Sequence, residues 1–180
     1  MINQFENFTI KEFDTRQGAL LFKLIDENRS RLEDFFPVTV AATRTLANTL
    51  DYCRLMEQRR KNKSYFPFII IDQKDNSYVG FIDIKNIEWK VPKAEVGYFI
   101  DQQYEGQGVI SKALSFVLKH VVEKYGIKKM LSRASTQNLG SMKVALNNGF
   151  ELEGTIRSDF KTANGEIVDL NYYGKVFNVI

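Results

Sequence analysis

The stretch QYEGQGVIS (residues 103–111) places Gly106 and Gly108 directly before an apolar run that continues with the spacing of a helix. The segment before it, AEVGYFID (94–101), has the character of a strand. The first N–H groups of a helix lack partners within it and carry partial positive charge, and glycines without Cβ let an anion come close. The stretch therefore predicts a phosphate site at the amides of residues 107–110. A tight turn that uses glycine only for its geometry remains the alternative.

Three phosphate-binding templates compete for this stretch. A P-loop fails, because no Lys-Ser/Thr pair follows Gly108. A dinucleotide fingerprint fits poorly, because Ser111 stands at the third glycine position and the preceding strand lies in an antiparallel run. The third template, Gln/Arg-x-x-Gly-x-Gly/Ala between a strand and a helix, is matched by Gln103, Gly106 and Gly108.

The remaining pattern predicts a mixed α/β (α+β) sheet in one domain of residues 1–180, mostly antiparallel, with helices on both faces. Alternation and turn residues predict strands at 4–13, 65–72, 78–87, 94–101, 128–135, 150–157 and 167–177. Helices are predicted from Asp14, where Gln17 completes a capping box, from Thr43, at 109–125 and at 138–149. This order differs from a repeating parallel βα array.

The net charge and the numbers of cysteine and histidine residues argue against several classes of function. A net charge of +3 is too weak to indicate nucleic acid but suits an anionic ligand. The single Cys53 excludes an internal disulfide or a thiolate metal cluster, and the single His120 argues against a zinc site or a Ser-His-Asp triad. The N-terminus does not read as a signal peptide, and the apolar runs are too short to cross a bilayer. We expect a cytoplasmic protein without a metal, a membrane partner or direct nucleic-acid binding.

Two longer segments carry a family resemblance. EVGYFIDQQYEGQGVISKAL (95–114) and STQNLGSMKVALNNGFELEG (135–154), in this order, resemble the GNAT superfamily of N-acetyltransferases. The chain is similar to the RimJ/RimL branch, which acetylates ribosomal-protein N-termini, and NRSRLEDFFP (28–37) is like the first helix and loop of that branch. The resemblance implies acetyl-coenzyme A and a GNAT sheet of six or seven strands. Its central strand pair splays, and pantetheine lies in the gap.

The resemblance also implies which residues bind the cosubstrate. The backbone around Ile100 would pair with the pantetheine amides, and Asn138 would bind the pantetheine arm. The diphosphate would be held by the bend and the first helical turn, which are Gln103, Gly106, Gln107, Gly108, Val109 and Ile110.

Acetyl transfer needs a neutral amine, so the acceptor decides how strong a base is required. With a pKa of ~8 for an α-amine and ~10.4 for lysine, deprotonation at neutral pH costs about 1 and about 4 kcal/mol respectively. Glu95 is the candidate base, because alternation places it on the face of Gly97 and Phe99 and the family often has an acid in this strand. A surface glutamate or an ion pair is the alternative.

Ser141 is the candidate acid for the leaving thiolate. Many GNAT enzymes use a tyrosine near the thiol, whereas SMKVALNNGF (141–150) offers none. The RimL-like pattern Asn-x-x-Ser, which the resemblance implies, places Asn138 and Ser141 there instead. The alternative is structural, with Asn138 as the N-cap of the helix and Ser141 as its third residue.

Several other residues invite weaker interpretations. His120 is expected to be half-buried and structural, and Cys53 a small core residue. Trp89 and the pair Phe35–Phe36 suit either an acceptor cleft or the core. The segments 31–42 and 157–166 flank the open side of the cleft in the family's fold and are expected to set acceptor specificity.

The sequence thus predicts direct acetyl transfer from acetyl-coenzyme A to an amine, foremost a protein N-terminus. Cys53 has no nearby base in sequence, so no covalent enzyme intermediate is expected. The alternatives are a small-molecule acceptor (a polyamine, amino sugar or amino acid), a non-catalytic acyl-coenzyme A sensor and, more distantly, a dinucleotide oxidoreductase. A homodimer is left open.

Overall fold

A computed structural model describes residues 1–177, which form eight strands and six α-helices. The strands are β1 (Asn3–Phe5), β2 (Phe8–Glu12), β3 (Phe66–Asp72), β4 (Tyr78–Glu88), β5 (Lys93–Ile100), β6 (Lys129–Ser135), β7 (Glu151–Lys161) and β8 (Ile167–Val176). The helices are α1 (Gly18–Glu27), α2 (Arg29–Leu32), α3 (Pro37–Ala42), α4 (Leu46–Lys61), α5 (Val109–Tyr125) and α6 (Leu139–Asn147). Single 3₁₀ turns occupy Thr15–Gln17 and Gln102–Tyr104.

The eight strands of residues 1–177 join one sheet in the order β1-β2-β3-β4-β5-β6-β8-β7, and within these residues only the β5–β6 pair is parallel. The predicted mixed, mostly antiparallel sheet is confirmed, but the predicted count of six or seven strands is wrong, since residues 1–177 form eight. The extra strand arises because the segment 4–13 is a hairpin. Glu6 adopts a left-handed φ of 48°, the chain reverses, and Phe5 pairs with Phe8.

The two faces of the sheet carry separate apolar clusters. Alternate residues of β5 (Ala94, Val96, Tyr98, Ile100) join α5 in one cluster, and Phe99 joins α1 and α4 in the other. Burial of one large aliphatic side chain contributes about 2 kcal/mol, so both helical layers are held firmly to the central strands. The opposite faces of β5 therefore look toward different helices.

The parallel pair β5–β6 is joined only at one end. Its rungs are Lys93–Lys129, Ala94–Met130 and Glu95–Leu131, and across residues 1–177 no further rung joins the two strands. The remainder of β5 (96–100) and of β6 (132–135) diverge, which confirms the predicted splayed central pair. We call the divergence after Glu95 and Leu131 the fork.

The first predicted helix is interrupted. The Asp14 carboxylate accepts the N–H of Arg16 at 3.0 Å rather than that of Gln17, so a 3₁₀ turn precedes α1. The helix also ends earlier than predicted, because the chain leaves helical geometry at Asn28 (φ −115°, ψ 8°) before α2 begins.

The second predicted helix begins later than Thr43. Thr45 has extended backbone and its hydroxyl accepts the N–H of Asn48 at 3.1 Å, so Thr45 is the N-cap of α4. The short helix α3, which begins at Pro37, was not predicted. Proline is well tolerated there because the first N–H groups of a helix have no partner within it.

The closing hairpin also differs from prediction. β7 extends to Lys161, which pairs with Ile167, so about half of the expected loop 158–166 is strand and only 162–166 forms the turn. Ser158 has a left-handed φ of 53° at an irregularity in the β7–β8 pairing. The polar composition of this segment had led to its prediction as a loop.

Helices α5 and α6 lie where the sequence placed them. In the described part of the chain, no helix is both long enough and apolar enough to cross a membrane.

Candidate active site

The glycine bend follows directly from the end of β5. The Asp101 carboxylate accepts the N–H of Gln103 at 2.8 Å and starts the 3₁₀ turn. Gly106 and Gly108 then adopt left-handed φ values of 72° and 75°. Apart from the glycine itself and its two neighbours along the chain, no residue of 1–177 has an atom within 4 Å of a Cβ built on either glycine. Both positions therefore need glycine for their backbone, and both face open space where a ligand can approach.

Helix α5 begins immediately after the bend. Gly108 stands at its N-cap and has no side chain to accept the first N–H groups, while the Gly108 carbonyl accepts the N–H of Lys112 at 3.0 Å. The amides of Val109 and Ile110 thus have no carbonyl one turn earlier within the helix. The Gln107 side chain closes the loop by donating to the Gln103 carbonyl at 2.6 Å. A rigid bend with free amides and no acid in the first helical turn fits a diphosphate.

The fork opens beside this bend. Beyond Glu95, the backbone groups of β5 that face β6 have no strand partner in the described residues. An extended ligand with amide groups can pair with such an edge as an added strand does. Ile100 lies at the end of this edge, one residue before Asp101.

Asn28 braces the bend from the break between α1 and α2. Its side-chain nitrogen donates to the Asp101 carboxylate at 2.8 Å, and its oxygen accepts the N–H of Gln102 at 3.1 Å and Arg31 Nη1 at 2.7 Å. Arg31 also forms an ion pair with Glu105 in the bend. Sequence reasoning missed Asn28, although an asparagine inside a predicted helix is a signal of a break.

Glu95 lies at the last rung before the fork, on the face of β5 toward α1 and α4. Its carboxylate is 12% exposed, accepts Arg133 Nη2 at 3.0 Å and Asn86 Nδ2 at 2.9 Å, and lies 4.0 Å from Lys85 Nζ. The ion pair that the sequence left as an alternative is therefore present, and it fixes the carboxylate of the last residue before the fork.

Asp83 is a second acid on this face, and sequence reasoning missed it. It lies opposite Gly97, its carboxylate accepts the Gly97 N–H at 3.1 Å and the Tyr65 hydroxyl at 2.7 Å, and Lys85 Nζ lies 3.7 Å away. Burial and the adjacent Asp83 raise the pKa of Tyr65 well above its usual value, so Tyr65 stays a donor. An aspartate within an apolar strand was the available signal. We call Asp83, Lys85, Glu95 and Arg133 the charged row.

Ser141 lies in the first turn of α6. Its N–H donates to Asn138 Oδ1 at 3.0 Å, so Asn138 is the N-cap of the helix. Its carbonyl accepts the hydroxyl of Tyr98, a β5 residue on the α5 face, at 2.8 Å. Ser141 is thus tied to one face of β5 while Glu95 lies on the other, with the fork between β5 and β6 beside both. Sequence reasoning missed Tyr98, because the sequence showed it only as one of the alternate residues of β5 that are expected to be buried.

Two residues that the sequence set aside are indeed structural. His120 is half-buried, with Nε2 3.4 Å from Glu12 Oε1 and its ring edge on Phe68. Cys53 is buried in the cluster beneath α1, and burial raises the pKa of its thiol to about 11.

The aromatic residues separate into two locations. The Phe36 ring packs edge-on against Phe99 at 5.3 Å and lies 5.9 Å from Lys85 Nζ, next to the charged row. Trp89 instead lies at the β4–β5 turn, where its indole N–H donates to the Lys63 carbonyl at 3.1 Å. That turn is at the joined end of the β5–β6 pair rather than at the fork.

A splayed parallel pair that ends in a glycine bend and a helix N-terminus is the arrangement that the resemblance to acetyl-coenzyme A-dependent transferases implied. A family model described as "Acetyltransferase (GNAT) domain" matches residues 9–151. The chain belongs to this family, as its sequence predicted.

Individual proteins show the same likeness. The chain is 28% identical over 160 residues to the ribosomal-protein-serine acetyltransferase of Escherichia coli (strain K12), covering 88% of this chain and 86% of that protein. The structure of a ribosomal-protein alanine acetyltransferase from Vibrio fischeri superposes with a TM-score of 0.91 at 20% identity, covering 98% and 96% of the two chains. A ribosomal α-N-protein acetyltransferase in complex with coenzyme A superposes at 0.89 with 22% identity, covering 98% of each.

Proposed function

We propose that this GNAT protein transfers an acetyl group from acetyl-coenzyme A to the N-terminal α-amine of a ribosomal protein by direct attack. The observation that carries the proposal is the glycine bend, with its free amides, at the open end of the fork. Membership of the family supports the reaction class, and the coenzyme A complex of a structural neighbour supports the cosubstrate.

In this proposal, the bend, the open edge of β5 and the start of α6 each hold one part of the cosubstrate. Gln103, Gly106, Gln107 and Gly108, with the amides of Val109 and Ile110, surround the diphosphate. The unpaired edge of β5 up to Ile100 binds the pantetheine amides. Asn138 uses its side-chain oxygen to cap α6, and its N–H₂ group is the donor available to the pantetheine arm.

The chemistry requires two proton movements. Acetyl-coenzyme A supplies an acetyl group activated as a thioester. The acceptor amine loses a proton to Glu95, directly or through one water, as its nitrogen bonds to the acetyl carbon. The C–S bond breaks, and Ser141 donates a hydrogen bond to the departing sulfur or relays a proton to it from water, so that the serine ends as a neutral hydroxyl. A weak base is sufficient for an α-amine, because the pKa of ~8 of such an amine lies close to neutral pH.

A covalent acetyl-enzyme is disfavoured by the placement of Cys53. The thiol is buried under α1, away from the fork, and burial raises its pKa to about 11. The thiolate is the nucleophilic form of cysteine, and it is scarce at neutral pH with such a pKa.

The acceptor is the part of the proposal that rests on relatives. The relative from Escherichia coli is named for a serine of a ribosomal protein, and the Vibrio neighbour for an alanine. Short peptides beginning with serine or alanine are therefore the first acceptors to test, each beside the same peptide with a blocked N-terminus.

The test measures thiol release from acetyl-coenzyme A with these peptides and with spermidine, an amino sugar and free amino acids. Release with the free peptides alone, and acetylation at the α-amine by mass spectrometry, is the expected result. Release only with a small amine would move the acceptor to that amine. Calorimetric binding of acetyl-coenzyme A without turnover of any amine would indicate a sensor and overturn the enzyme assignment.

A further inference from the structure

The backbone N–H and the backbone carbonyl of Ser141 each form a hydrogen bond with a side chain. Asn138 Oδ1 accepts the N–H at 3.0 Å, and the Tyr98 hydroxyl donates to the carbonyl at 2.8 Å. The first contact belongs to α6 itself. The second crosses from β5, three residues past the last β5–β6 rung, to the first turn of α6.

The carbonyl does not need Tyr98 in order to be satisfied. Within a helix a carbonyl accepts the N–H four residues later, so the Ser141 carbonyl has Ala145 as its helical partner. The bond from Tyr98 is therefore additional to the helix. What it adds is a fixed distance between the first turn of α6 and β5, in the region where the sheet no longer connects β5 to β6.

Tyr98 itself is placed to act as a rigid spacer. Its ring is 9% exposed and packs in the apolar cluster between β5 and α5, and its hydroxyl lies 3.5 Å from Ser132 Oγ on β6. Burial raises the pKa of Tyr98, so the hydroxyl remains a protonated donor through the neutral range. Tyr98 lies on β5, and its hydroxyl thus connects that strand to β6 and to α6, the other two elements around the fork.

We infer that Tyr98 is a positioning residue for Ser141, setting the Ser141 hydroxyl at the cosubstrate sulfur through its bond to the Ser141 carbonyl. The inference rests on the proposed function. Tyr98 donates no proton to the substrate and acts only through Ser141. Catalytic groups misplaced by a fraction of an ångström lose rate even when every other contact is kept.

The test is a double-mutant cycle of Tyr98→Phe and Ser141→Ala, measured by steady-state kinetics with the accepted amine. Tyr98→Phe keeps the ring but removes the hydrogen bond. We expect kcat to fall about tenfold, which corresponds to the net free energy of one hydrogen bond, with little change in KM for acetyl-coenzyme A. In the Ser141→Ala background, removing the Tyr98 hydroxyl should cost no further rate. Tyr125→Phe is the matched control, since that ring stacks on Phe66 at 4.0 Å near the far end of α5.

Each outcome decides the inference. Losses that multiply in the double variant, or an unchanged kcat for Tyr98→Phe, overturn the inference while an active wild type keeps the proposed function. A wild type that binds acetyl-coenzyme A but acetylates no amine overturns both. If Tyr98→Phe melts at a lower temperature, the cycle is run with saturating acetyl-coenzyme A, which stabilises the folded state by mass action.

Discussion

Asp83 of β4 lies directly opposite Gly97 of β5, and the carboxylate of the first accepts the backbone N–H of the second at 3.1 Å. The contact exists because Gly97 has no side chain. A Cβ on Gly97 would lie 2.5 Å from Asp83 Oδ1 and 2.9 Å from Lys85 Nζ. A single glycine thus lets two members of the charged row lie over β5, two residues from Glu95.

Gly97→Ala should therefore destabilise the protein. The added methyl group meets a buried carboxylate that is held by Tyr65, so we expect a loss of about 1–3 kcal/mol in the free energy of unfolding. Gly154→Ala on β7 is the control, because only its own neighbours along the chain lie within 4 Å of a Cβ there, among residues 1–177. Urea unfolding of both variants checks the prediction, and equal unfolding free energies would contradict it.

Gly106→Ala should weaken acetyl-coenzyme A binding more than its loss of folding stability alone would explain. The methyl group would stand in the open space in front of the bend, so we expect KM for acetyl-coenzyme A to rise about tenfold, as for a lost contact of about 1.4 kcal/mol. Gly126→Ala isolates the backbone strain. Gly126 has a similar φ of 70° and equally open surroundings but lies at the C-cap of α5.

The two glycine variants are compared by calorimetry with acetyl-coenzyme A and by thermal melting. Each should lose about 1–2 kcal/mol of stability, because alanine is strained in the left-handed region. If both variants also bind the cosubstrate alike, the bend does not hold the diphosphate.

The sequence predicted the strand, bend and helix well because that signal is local. Alternation ends at Asp101, two glycines follow, and an apolar helix begins, all within one short stretch. The splayed pair has no such local signal, and its prediction came from the family resemblance that these residues carry. Errors at Thr43 and in the segment 4–13 are boundary errors, where one capping hydroxyl or one turn decides the outcome.

The sequence could not predict the contacts that connect distant segments. Asn28 reaches Asp101 across 73 residues, and Tyr98 reaches Ser141 across 43. Each is a polar side chain whose partner is fixed only by the tertiary fold. Alternation identified the face of Tyr98 but could not show what its hydroxyl would touch.

Cys53 should make stability fall at alkaline pH. Burial raises the pKa of the folded thiol from 9.0 to about 11, so the folded state holds its proton more tightly than the unfolded state. This contribution is complete below about pH 9 and is lost as pH rises toward about 11, amounting to about 3 kcal/mol at ~1.36 kcal/mol per pKa unit. The measurement is the difference in unfolding free energy between wild type and Cys53→Ala across that range. A difference that does not change with pH would contradict the assignment.

Glu95→Gln should reduce turnover most where the acceptor amine is protonated. Glutamine keeps the shape and can still contact Asn86, but it cannot take a proton, so we expect kcat to fall by about 10²-fold near pH 7, within the range for general base catalysis. The deficit should shrink above about pH 9, where an α-amine of pKa ~8 is already neutral.

Two controls separate a base from an ion pair. Glu88→Gln removes a carboxylate that pairs with Lys93 at 3.0 Å on the same hairpin, away from the fork, and should leave the pH profile unchanged. Arg133→Met removes the partner of Glu95 but leaves the carboxylate. If Glu95 serves only to pair with Arg133, both Glu95→Gln and Arg133→Met should lose the same rate at every pH. A loss confined to Glu95→Gln at low pH is the pattern that only a proton acceptor produces.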